Sequence, residues 1–216
     1  MCTQYYIRMN DPDMDEIRER FFSSRLTERF RSSGAKITEG GIVRPSLVVP
    51  VVAPDKTAHR AVYPMKWGFS LGKKLIVNAR SETAESKPMF RDHASVHRCA
   101  VPASFYFEWR HDKETGKMAG ERPQKYAFRI PGENILWLGG LYRMENGLPS
   151  FTVLTRDASP ELSDIHPRMP FIIPGNMLDE WTEPGTRDIS EFETVTDLEF
   201  TPVDPGRDGG SDNEEE

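Results

Sequence analysis

Apolar and polar positions alternate along the chain with two periods. Over residues 13–33, "DMDEIRERFFSSRLTERFRSS", the residues Met14, Ile17, Phe21, Leu26 and Phe30 recur at helical spacing, with Asp ahead of them and Gly34 behind. That pattern predicts one amphipathic helix with a stop at the glycine. The rest reads differently. The runs "SLVVPVVA", "LIVNAR", "RCAVPASFYFEW", "KYAFRI", "NILWLGGLYRM" and "SFTVLTRD" are rich in β-branched and aromatic residues and are separated by Gly, Pro and Asp turns. They predict mostly antiparallel strands, with helices at the margins. A second short helix is expected over "GNMLDEWTE". No internal repeat is visible.

The 216 residues, 37% of them hydrophobic, suit one globular domain with a sizeable core. It is expected over residues 2–203. The last stretch, 204–216, "DPGRDGGSDNEEE", holds 6 acidic residues against 1 basic and is expected to be a disordered tail, because it has no apolar area to bury. Cys2 and Cys99 are too few for a disulfide scaffold, and the first 22 residues lack the apolar core of a signal peptide. The chain therefore reads as cytoplasmic and reduced, with no membrane partner.

Net charge is −6, which alone argues against a nucleic-acid partner. Its distribution changes that reading. Residues 60–129 hold 14 Lys and Arg against 7 Asp and Glu, whereas residues 130–203 hold 4 against 13. The middle third is a basic island, either a solvated surface or an anion-binding one.

Four stretches hold polar chemistry that a β-rich core does not need. Cys2, taken alone, reads first as a small buried hydrophobe. Once Met1 is removed, however, it carries a thiol and an α-amine on adjacent carbons. Their reference pKa values, about 8.5 and about 7.7–8.0, give both groups access to their nucleophilic forms near neutral pH. The pair suits either an aldehyde, which closes to a thiazolidine, or an acyl carbon attacked by the thiol with the amine as base. In "NARSET", Asn78 offers a donor and an acceptor. Arg80, two residues on along the same strand face, offers a planar fork matched to phosphate. "KPMFRDHASVHR" adds Lys87, Arg91, His93, His97 and Arg98 to the basic island. In "PASFYFEW", Glu108 sits among aromatics and is either an edge-strand carboxylate paired with a lysine or a proton shuttle of raised pKa. In "SDIHPRMP", His166 is wedged before a proline, two residues from Arg168. His93 and His97 are four apart, but no third ligand is nearby, so neither a metal nor another cofactor is expected.

Cys2, "MKWGF", "NARSET" with "KPMFRD", "RCAVPASFYFEW" and "IHPRMP", in that order over most of residues 2–173, resemble the SOS-response-associated peptidase (SRAP) family. The resemblance implies an α+β single domain around a β-barrel-like core. It also implies a monomeric protein that recognises abasic sites in single-stranded DNA, near the nucleoid when DNA is damaged, and crosslinks itself to them. On this carry-over Cys2 forms the thiazolidine with the opened sugar, and Asn78 holds the N-terminal residue and the deoxyribose in register. Glu108 shuttles protons, and His166 assists ring opening and stabilises the adduct. Arg80 and Arg168 grip phosphates, Lys87 and Arg91 add DNA contacts, and Trp67 offers a stacking face to a base. Removal of Met1, autoproteolytic or by an aminopeptidase, precedes the crosslink, and a lyase-type activity accompanies the family chemistry. The family pattern continues Cys-Gly-Arg, whereas here Thr3 and Gln4 follow Cys2, and Phe105 stands where a glycine is usual. Two other readings compete: an N-terminal-nucleophile amidohydrolase of the glutamine amidotransferase type, and a non-covalent single-stranded DNA-binding module.

Overall fold

The computed structural model describes residues 2–112, 118, 123–185 and 187–203. The strands are β1 (Tyr5–Ile7), β2 (Gly41–Val43), β3 (Val48–Pro54), β4 (Arg60–Trp67), β5 (Phe69–Leu71), β6 (Lys74–Ile76), β7 (Asn78–Arg80) and β8 (Arg98–Ala103). They continue with β9 (Phe105–Trp109), β10 (Lys125–Arg129), β11 (Leu136–Glu145), β12 (Leu148–Asp157), β13 (Arg168–Pro170), β14 (Ile172–Ile173) and β15 (Glu199–Val203). The helices are α1 (Asp15–Ser23), α2 (Arg25–Ser32), α3 (Ser81–Ala84), α4 (Arg91–Ala94), α5 (Pro160–Ser163) and α6 (Leu178–Thr182). The acidic tail expected at 204–216 lies outside the described residues.

Five strands close on themselves. β3 pairs β4, β4 pairs β12, β12 pairs β11, β11 pairs β8, and β8 returns to β3 through Val52 and Ala100. The result is a small barrel in an α+β domain, as expected. Val48, Val49 and Val51 of β3 and Val101 of β8 are fully buried, which explains why these strands read as continuous apolar runs rather than alternating ones. The "GG" of β11 is a packing requirement: a Cβ on Gly140 would stand 2.8 Å from the Thr152 carbonyl oxygen. The β4–β12 and β7–β12 contacts are parallel, an exception to the antiparallel expectation.

A second sheet, ordered β15-β10-β9-β1-β2, leans on the barrel. The chain passes from one to the other at Ser104, so "RCAVPASFYFEW" is two strands rather than one. Tyr5, Tyr106 and Phe128 are buried, and the Tyr106 and Phe128 rings stack at 4.7 Å.

The expected single helix over 13–33 is corrected to two. Ser24 is extended at φ −67°, ψ 133°, and its hydroxyl accepts from the Leu26 amide, capping α2. The break re-aims the apolar stripe. Thr27 turns inward and donates to the Phe21 carbonyl, while Leu26 is only half-buried. Among the described residues no helix is long and apolar enough to cross a membrane.

Candidate active site

β1 is antiparallel to β9, with Tyr5 opposite Tyr106 and Tyr6 opposite Phe105, and the register is extended by the Phe107 amide donating to the Gln4 carbonyl at 3.0 Å. This pairing delivers Cys2 to the end of β9 that carries Glu108. β7 enters beside β12 with Asn78 opposite Val153, and Asn78 Nδ2 donates to the Cys2 carbonyl oxygen at 2.8 Å. Cys2 is 1% exposed, and its thiol faces the Gln4 carbonyl at 3.8 Å. Burial, and then the Glu108 charge, push that thiol well above its ordinary range. The resting sulfur is therefore a neutral thiol.

Glu108 is 3% exposed in a strand of aromatics, and burial raises its carboxyl to about 7. With that value both its acid and its base form are accessible near pH 7. His166 follows α5, with Nε2 3.8 Å from Glu108 Oε2 and its ring edge-on to His111 at 4.3 Å. Its Nδ1 lies 2.7 Å from the Arg168 carbonyl oxygen and 3.0 Å from the Arg168 amide nitrogen. Burial lowers it to about 4, so the imidazole is neutral at physiological pH. Residues 2, 78, 108 and 166 thus meet although they are dispersed through the sequence. Asn78 Oδ1 is buried and has no hydrogen-bond partner among the described residues. A buried acceptor left open costs free energy unless a ligand completes it.

The anion-binding expectations fare unevenly. Arg80 is exposed at the end of β7, and Lys87 and Arg91 are exposed on the segment that follows, Arg91 beside Asp92 at 3.1 Å. Arg168 is corrected. Rather than offering an open fork, its guanidinium donates to Glu82 at 2.6 and 2.9 Å, to Asp157 at 2.5 Å and to the Thr155 carbonyl at 2.7 Å. Trp67 is corrected too. It is fully buried, packed on Tyr5 at 5.2 Å and Phe151 at 6.2 Å, with its indole N–H on the Val77 carbonyl, and so presents no face to a base. Arg98, counted in the basic island, is also internal, donating to the Arg187 and Glu183 carbonyls. His93 and His97 face each other, Nδ1 to Nδ1, at 3.0 Å.

Phe105, in place of the usual glycine, is buried and stacks on its cross-strand partner Tyr6 at 4.7 Å. Gln4 is buried where an arginine is usual, while Thr3 is exposed. Sequence reasoning passed over His111, whose ring backs His166, and Glu82, whose only signal was its place two residues after Arg80 in "NARSET".

A barrel with an accessory sheet, holding a second-position cysteine among Asn, Glu and His, defines a narrow class. The family model "SOS response associated peptidase (SRAP)" matches residues 1–205, and the chain belongs to that family. Abasic site processing protein YobE of Bacillus subtilis is 30% identical over 166 residues, covering 71% of this chain and 72% of its own length. Abasic site processing protein YedK of Escherichia coli is 29% identical over 134 residues, covering 59% and 57%. In fold, a crystal structure from Bacteroides thetaiotaomicron superposes with a TM-score of 0.69 at 22% identity, covering 93% of this chain and 92% of that one.

Proposed function

We propose that this protein processes abasic sites in single-stranded DNA by linking itself to them through the amine and thiol of Cys2. The observation that carries the reading is the clamp on Cys2: Asn78 Nδ2 fixes its carbonyl while Asn78 Oδ1, buried and open, is left to accept from a sugar hydroxyl.

The steps follow from the groups present. Hydrolysis of the Met1–Cys2 peptide bond, by the protein itself or by an aminopeptidase, first exposes the amine. An abasic deoxyribose is a hemiacetal in equilibrium with an aldehyde. Neutral His166 takes the proton of the C1′ hydroxyl as the ring opens, with the ring oxygen receiving one in turn. The Cys2 amine then adds to C1′, and protonated Glu108 gives its proton to the departing hydroxyl, releasing one water and leaving a protonated Schiff base. The Cys2 thiol adds to that C=N carbon and passes its proton to the Glu108 carboxylate, which returns to its acid form, and a thiazolidine results.

The raised thiol fits this order: the amine reacts first, and sulfur is needed only when the imine is in place. A carboxyl at about 7 can perform both transfers, whereas an ordinary one near 4.5 would be almost fully ionised. Arg80, Lys87 and Arg91 are the cations available for phosphates of the bound strand. A monomer acting in the reducing cytoplasm, on the nucleoid when DNA is damaged, goes with this reading, and a lyase-type strand scission through the Schiff base is its natural side activity.

Incubation of Met1-free protein with a single-stranded oligonucleotide bearing one abasic site, followed by denaturing electrophoresis, tests it. A band that survives boiling in detergent is expected. Glutamine hydrolysis without DNA would point to the amidohydrolase instead, and a complex lost on denaturation to a non-covalent binder.

A further inference from the structure

We propose that Glu82 is a positioning residue of this site, acting through Arg168 on the His166 ring; the inference rests on the reading of the site just given. The Arg168 guanidinium makes a two-pronged contact with Glu82, Nη1 to Oε1 at 2.6 Å and Nη2 to Oε2 at 2.9 Å. Such fork-on-fork pairs fix orientation as well as distance. The backbone of the same arginine holds His166, its amide nitrogen at 3.0 Å and its carbonyl oxygen at 2.7 Å from Nδ1. Turning the ring would break its contacts with the Arg168 backbone, and shifting the Arg168 side chain would break its pairing with Glu82, so one residue links the two.

Glu82 also couples this to the other half of the site. It lies in the first turn of α3, directly after β7, whose first residue Asn78 clamps Cys2. Its Oε1 accepts in addition from the Asp157 backbone amide at 3.2 Å, at the end of β12. One carboxylate thus joins the segment bearing Asn78, the edge of the barrel and the segment bearing His166. The hydrogen bonds from Arg168 hold the Glu82 carboxyl below its usual range, so it stays ionised through any assay near neutrality.

Asp157 is the lesser partner. It meets only Nη1, and its side chain is 84% exposed against 42% for Glu82. The Arg168 side chain is only 12% exposed, but it keeps the Asp157 carboxylate and the Thr155 carbonyl when Glu82 is changed, so the effect of Glu82 is expected in geometry rather than in folding. A displacement of about 1 Å in a reacting group costs about 10²-fold in rate.

The test is 15N NMR of the His166 ring in the full chain at pH 7 without DNA, paired with the crosslinking rate on an abasic single-stranded oligonucleotide. The groups facing the ring, Glu108 from β9 and His111, are unchanged throughout. Glu82→Gln should shift the His166 ring signals and slow crosslinking about 10- to 100-fold at unchanged thermal midpoint. Glu82→Asp should recover part of both, and Asp157→Asn should leave both near wild type. Wild-type ring signals in Glu82→Gln would overturn the proposal, as would slowed crosslinking without any change in the ring. Should Glu82→Gln not fold, the decision passes to Glu82→Asp, whose ring signals must be displaced from those of the wild type; unmoved signals there would refute the positioning role. Absence of a crosslink with the wild-type protein would count against the reading of the site instead, and the ring signals would still decide the role of Glu82.

Discussion

Asn78 Nδ2 donates to the carbonyl oxygen of Cys2 at 2.8 Å, across 76 residues of sequence. A strand that pairs in parallel with the barrel thereby holds the residue to which the proposed crosslink is assigned. Asn78→Asp replaces that donor with a carboxylate oxygen facing a carbonyl oxygen, so it should misplace Cys2 and lower the crosslinking rate by about 10-fold or more. Single-turnover time courses would measure it, and a wild-type rate would show that the clamp is dispensable.

On the proposed reaction Glu108 transfers protons and does not enter the product. Its loss should slow the reaction without changing its endpoint. Glu108→Gln is expected to give the same adduct about 10²–10⁴-fold more slowly at pH 7, with partial recovery at lower pH where solvent supplies the proton. An unchanged rate between pH 5 and 8 would reduce Glu108 to a structural carboxylate.

The same two titrating groups shape stability in opposite directions. Burial lifts Glu108 from 4.5 to about 7, so between those values the folded state binds its proton more tightly than the unfolded chain does. This contribution falls as pH rises, by about 3 kcal/mol in all. Burial lowers His166 from 6.5 to about 4, so its contribution is complete above 6.5 and is lost as pH falls towards 4. The slopes largely offset from pH 4.5 to 6.5. Thermal melts should therefore be nearly flat there for wild type, rise with pH for Glu108→Gln and fall with pH for His166→Gln. Identical profiles for the two variants would contradict the assignment.

Trp67 and Arg80 exchange the importance that composition suggests for them. Trp67 is core, so Trp67→Ala should cost about 3–5 kcal/mol, read as a lower denaturation midpoint, whereas Arg80→Ala should leave the midpoint alone. Arg80→Ala should instead weaken DNA capture and reduce its salt dependence by about one phosphate contact. Fluorescence anisotropy across a salt series separates these; a salt slope unchanged in Arg80→Ala would remove it from the interface.

Much of this was readable in the sequence because the chemistry of Asn78 and Glu108 is unusual for the strands that carry them, because Cys2 and His166 stand in short polar settings beside strands, and because β3, β8, β11 and β12 announce themselves by composition. What was not readable depends on partners far along the chain. Trp67 looks the same in "MKWGF" whether exposed or covered, and only the approach of Tyr5 and Phe151 decides. Arg168 looks like a free cation until Glu82, 86 residues away, is placed against it. The helix break at Ser24 was visible as a Ser-Ser pair but outweighed by the apolar period, since local capping and helix continuation differ by little free energy.

The most direct measurement of the central claim is the intact mass of the purified protein before and after incubation with a single-stranded oligonucleotide carrying one abasic site. The account predicts a starting protein lighter than the encoded chain by one methionine residue. It predicts a product equal to protein plus oligonucleotide minus one water, formed by wild type and absent as a stable species from Cys2→Ser. A stable adduct of that mass from Cys2→Ser, or no adduct from Met1-free wild type, would contradict it.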